Sequence, residues 1–96
     1  MTPLWFSVRS TLSYWNIISK IKHPIMKDRL SDVVNCLMNP DEIRISKTDA
    51  EVYLFYQLVK EGRFICAVVK HVEYNAFLIT AYPTNNIKEG SIVWKI

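Results

Sequence analysis

The chain has 96 residues, half of them apolar, and 12 Lys plus Arg against 9 Asp plus Glu give a formal net charge of +3. That length leaves room for one domain, residues 1–96, near the smallest size that buries a self-sufficient core, and the apolar and aromatic content excludes a disordered chain. The cationic excess is compatible with a polyanionic partner but falls short of the basic stripe of a dedicated nucleic-acid binder.

The N-terminal MTPLWFSVRST has neither the basic start nor the apolar run of a secretory signal, and no apolar stretch is long enough to span a bilayer. The expectation is a cytoplasmic protein with no membrane partner. LWFSV, Leu4 to Val8, is rich in strand formers and predicts a short edge strand. Ser10 or Thr11 is placed to cap a helix that puts Leu12, Trp15, Ile18 and Ile21 on one face. This helix must stop before Pro24, so His23 falls at a corner between helices. Pro24 suits the first turn of a second helix, with Met26, Leu30, Val33, Val34 and Leu37 as its apolar stripe opposite Lys27, Asp28, Arg29 and Asp32. NPDE, Asn39 to Glu42, ends it with turn chemistry.

From there the period becomes strand-like. EIRIS, EVYLFYQLV, RFICAVVKH, AFLITAY and SIVWK are separated by KTDA, KEG, VEYN and PTNNIKEG, and Gly62 and Gly90 suit tight antiparallel connections. The expected fold is α+β: two N-terminal helices packed on one face of an antiparallel sheet of about four to five strands. Cys36 and Cys66 lie far apart, in a helix and a strand, and read as reduced core thiols rather than a redox or zinc motif. No second ligand stands at a workable spacing from His23, so neither a metal nor another cofactor is expected.

In FLITAYPT, Phe77 to Thr84, Thr80 and Tyr82 are two apart and leave the same face of a strand. If His71 lies opposite Phe77, then Lys70 lies opposite Leu78 and projects beside them; a shift of one residue sends Lys70 to the other face. Both faces of the central strands are apolar, so the sequence leaves this parity open. Double apolarity implies a helix cover plus a partly hydrophobic cleft, or a second protein on the open face.

Over nearly the whole chain, the ordered set His23-Pro24, NPDEIRISKTD, VYLFY, AVVK, FLITAYPT, IKEG and Trp94 resembles a bacterial and phage toxin-like branch of the barnase/EndoU/colicin/RelE-like (BECR) nuclease superfamily. The resemblance implies a metal-independent ribonuclease site on the open sheet face. It also implies a role as a toxin encoded beside a small antitoxin protein. Carried over by position, the implied catalytic residues are His23, Lys70, Thr80 and Tyr82, with Arg44, Ser46 and Lys47 as RNA phosphate contacts. His71 faces away from Thr80 and Tyr82 if Lys70 faces them, and no carboxylate stands where a barnase-like general base would.

Metal-free RNA cleavage removes a proton from a 2'-hydroxyl, stabilises the phosphorane and protonates the departing 5'-oxygen, leaving a 2',3'-cyclic phosphate. A histidine is the natural proton carrier, Lys70 and Arg44 would neutralise phosphate, Thr80 would hold a phosphate or sugar oxygen, and Tyr82 would stack on a base or donate its proton. The plain rivals are a helix-capping His23, a solvated Lys70, ordinary strand residues at Thr80 and Tyr82, and edge charges at Arg44 and Lys47. Two other functions fit the same fold. One is a non-catalytic module that holds a partner protein or a second copy through exposed Leu78 or Val68; the other binds single-stranded RNA without cutting it.

Overall fold

Thr11 opens the helical half of the chain by accepting the N–H of Tyr14 on its Oγ1 at 3.0 Å. The computed structural model describes residues 2–22, 24–87 and 90–96, and the side chains of Leu12, Lys22 and Pro24 are not among its described parts. Helix α1, Leu12–Ile17, continues as a π-helical stretch, Ile18–Lys22. Trp15 and Ile18 are buried, but Ile21 is 74% exposed. The expected single stripe ends there because the i→i+5 turn advances each residue by a smaller angle and swings Ile21 out of line.

The second helix is also shorter than its sequence suggests. Pro24–Met26 forms one 3-10 turn, Asp28 takes a positive φ of 65°, and α2 begins afresh as Leu30–Met38. A left-handed residue cannot continue a helix, so Met26 and the later stripe no longer share a rotation. Met26, Val33 and Cys36 are buried, while Leu30 and Val34 are exposed.

The strands are β1 (Glu42–Ile45), β2 (Val52–Lys60), β3 (Arg63–Val72), β4 (Asn75–Thr84) and β5 (Ser91–Lys95). They form one antiparallel sheet in the order β4-β3-β2-β1-β5. Leu4 to Val8 is not a strand: Trp5 has a φ of 66°, and the backbone of the N-terminal segment pairs with β4 at a parallel bridge, Arg9 to Phe77. Among the described residues the fold is thus α+β with two α-helices and five strands.

One face carries the main core. Phe55, Ile65, Ala67, Val69, Leu78 and Ala81 meet Trp15, Ile18, Met26, Val33 and Cys36 from the helices. Residues of opposite parity, Leu54, Tyr56 and Cys66, form a second cluster on the other face. Cys36 and Cys66 are both buried, and neither is in a disulfide among the described residues. Burial, and secondarily the nearby Cys66 sulfur, pushes the Cys36 thiol far above its ordinary value, so it stays protonated.

The second face is not open along its length. Thr84 ends β4 beside Phe64, whereas Ser91 begins β5 beside Ile45, at the opposite edge and the opposite end of the sheet. Four strand spacings of about 4.8 Å separate those edges, so the short connection must cross the sheet. Ile87 packs against the cluster of Leu54, Tyr56 and Cys66, which fixes the face that is crossed. Gly90 completes the crossing with a φ of 87°, and a Cβ there would collide with the carbonyl of Ile45. Gly62 sits in a tight β2–β3 turn, as expected; Gly90 serves the crossing from β4 to β5 instead.

Candidate functional site

A bulge decides which side chains share the second face. Val68 pairs with Thr80 and Val69 with Leu78, so Ile79 is an extra residue on β4. Tyr14 of α1 holds this bulge by donating its hydroxyl to the Ile79 carbonyl at 2.6 Å. Below the bulge, Lys70 lies opposite Phe77, and His71 opposite Ala76, one residue from the register considered above. The slip and the bulge cancel: Lys70, Thr80 and Tyr82 all leave the face away from the helices.

The same pairing arranges that face in rows. Thr80, Val68, Leu54 and Arg44 follow one another across β4, β3, β2 and β1; Tyr82, Cys66, Tyr56 and Glu42 form the next row. The functional groups in these rows are not gathered on one point. Lys70 Nζ reaches Asp49 Oδ2 at 3.0 Å and Glu51 Oε1 at 3.8 Å, toward the β1–β2 turn. Its pKa is raised, first by the hydrogen bond it donates to Asp49 and then by the charge of that group. Asp49 is lowered, first by the N–H of Glu51 and then by Lys70. Lys70 is therefore a committed cation, suited to neutralising a phosphate and unsuited to taking a proton.

Thr80 Oγ1 is buried and finds no hydrogen-bond partner among the described residues. Tyr82 is half-buried and packs against the Leu54, Tyr56 and Cys66 cluster. His23 lies outside the described residues; the turns on either side of its position, ending at Lys22 and starting at Pro24, carry Ile18 and Met26 into the core on the helix face. His71 also belongs to that face, where it stacks on Phe6 with ring centroids 4.5 Å apart and meets the edge of Tyr53.

Arg44 donates its Nε–H to Glu42, a carboxylate that is itself buried and has Lys95 4.0 Å away. Ser46 Oγ accepts the Thr48 N–H at 3.3 Å, so it shapes the turn after β1, and Lys47 is exposed in that turn. Glu42, Asp49 and Glu51 are the acidic members of this surface that sequence reasoning missed. The alternation Glu42-x-Arg44 on a strand was the available signal for the first of them. No three His, Cys, Asp or Glu side chains among the described residues cluster as a metal site, and none of the described helices is long and apolar enough to cross a membrane.

At the low-numbered end of β4 the face opens into a groove of about 840 Å³, lined by Val8, Arg9, Ser10, Thr11, Tyr14, Lys70, Val72, Phe77, Leu78 and Ile79. Of the described members of the expected catalytic set, Lys70 reaches it. The chain matches no protein-family profile, no curated protein and no solved structure.

Proposed function

We propose that the protein is a metal-independent endoribonuclease of the toxin-like BECR kind, acting on RNA from the sheet face opposite the helices. The reading rests on the sequence resemblance, and one structural observation supports it: the bulge at Ile79 gives Lys70, Thr80 and Tyr82 a common face despite the changed register. In this reading, His23 takes the 2'-hydroxyl proton as the 2'-oxygen bonds to phosphorus, which requires its imidazole to reach past the β4 edge from between turns that pack on the helix face. The bond from phosphorus to the 5'-oxygen breaks, and the departing oxygen receives a proton from Tyr82 or from the imidazolium. Lys70 balances charge on the phosphorane, and Thr80, whose Oγ1 is buried, must turn outward to hold one of its oxygens.

Cleavage of a labelled single-stranded RNA in excess EDTA tests this. The wild type is expected to yield 2',3'-cyclic phosphate ends, and His23→Ala and Lys70→Ala each to lose about a hundredfold or more in rate while keeping the wild-type melting temperature. Equal cleavage by the wild type and both variants, or no product from any of them, overturns it.

A second reading, a non-catalytic binding module of the same fold, is favoured by the ion pairs that hold Lys70 on Asp49 and Glu51. Of the residues that would mark its docking face, Leu78 is buried on the helix side and Val68 is half-buried, so the groove beside Phe77 is the better contact. A stable complex with a small antitoxin protein or a second copy, formed by a protein that cuts no RNA, is its signature.

A further inference from the structure

Arg9, Phe77 and Lys70 stand in one row across three adjacent backbone segments. The Arg9 N–H donates to the Ala76 carbonyl at 2.8 Å, and the Leu78 N–H to the Arg9 carbonyl at 3.0 Å, which lays the N-terminal segment alongside β4 with Arg9 level with Phe77. Phe77 in turn is level with Lys70 on β3. Paired residues project from the same side, so the side chains of Arg9, Phe77 and Lys70 leave backbone segments about 5 Å apart on one face, with the Lys70 ammonium resting on Asp49 and Glu51. All three line the groove of about 840 Å³, within the size range of small-ligand sites. Phe77 is 48% exposed.

An aromatic face left in water between two cations matches a ligand that alternates anionic groups with flat π-surfaces. An apolar peptide segment lacks the anions. A duplex hides its base faces, whereas an unpaired strand offers both phosphates and bases. We infer that this groove is a base-stacking subsite for one unpaired nucleotide of a single-stranded RNA, with Phe77 as the platform and Arg9 and Lys70 on the flanking phosphates. The identity of the polymer rests on the ribonuclease reading. Lys70 belongs to both, so the subsite sits directly beside the proposed point of cleavage, and stacking there passes from Tyr82, which packs into the sheet cluster, to Phe77.

Fluorescence anisotropy with a labelled 2'-O-methyl hexauridylate, whose blocked 2'-oxygen prevents cleavage, and with an abasic oligomer of equal charge separates base from backbone binding. The wild type is expected to prefer the base-bearing probe. Phe77→Ala should weaken that probe about tenfold and leave the abasic one unchanged, while Phe77→Trp retains the preference. Equal binding of the two probes by the wild type, binding of neither, or a Phe77→Ala effect that is absent or the same for both, overturns the subsite. Cleavage of unmodified RNA is measured in parallel. Base-dependent binding without cleavage supports the subsite and overturns the ribonuclease reading; cleavage without dependence on Phe77 does the reverse.

Discussion

Lys70 and Asp49 set the electrostatics of the surface at the level of single residues. Their pair lies in solvent, so it contributes little to stability, but it competes with any phosphate for the same ammonium. Because the Asp49 pKa is depressed, its contribution is present above the unfolded carboxylate value near 3.9 and is lost as pH falls through the folded value; for Lys70, whose pKa is raised, it is present below about 10.4 and lost as pH rises through the folded value. The pair is therefore closed at neutral pH. Asp49→Asn should open it there and strengthen RNA binding several-fold, with a steeper salt dependence in a titration of oligonucleotide affinity against ionic strength. Thr80 is the other informative position. Thr80→Val removes a buried hydroxyl with no described partner, so the melting temperature should hold or rise, by the equivalent of about 1 kcal/mol, while RNA cleavage falls if that oxygen contacts phosphate. The common face of Lys70, Thr80 and Tyr82 was legible in the spacing of FLITAYPT and VVK only as one of two parities. Asp49 was invisible as a partner because a turn residue 21 positions from Lys70 is brought to it by strand pairing.

At the level of elements, the strand segments were readable because alternating β-branched and aromatic residues are bounded by Gly62, Asn75 and other turn formers. The helices were less so. A π-helical stretch and a left-handed Asp28 leave no mark in hydrophobic spacing, and they moved Ile21, Leu30 and Val34 out of the core. The bulge at Ile79 was equally silent, since one extra residue looks the same as a continued strand in a run that is apolar on both faces. Its anchor is a tertiary hydrogen bond from Tyr14, and that makes α1 a positioning device for β4. Tyr14→Phe keeps the ring and removes the bond. Thermal melts should show a loss of about 1 kcal/mol, and amide exchange should quicken around Ile79 and Thr80 before the rest of the sheet; uniform exchange across β4 would mean that the bulge does not depend on α1.

For the whole molecule, β1 to β4 is a meander of neighbours in sequence, and β5 alone reaches back across it to β1. The connection that carries it covers Leu54, Tyr56 and Cys66 with Ile87. A chain ended after Thr84 should keep strand signal in circular dichroism yet bind a hydrophobic dye and self-associate in size-exclusion chromatography. A monomeric truncation with no dye binding would show that this cover is dispensable. The crossing also imposes an order of events. β2, β3 and β4 can zip together as they emerge from the ribosome, but β1, the earliest strand made, keeps one row of backbone groups in water until the latest one arrives. Closing so distant a pair costs little extra in equilibrium entropy and a good deal in time, so the final stitch of the sheet is the natural slow step of its assembly.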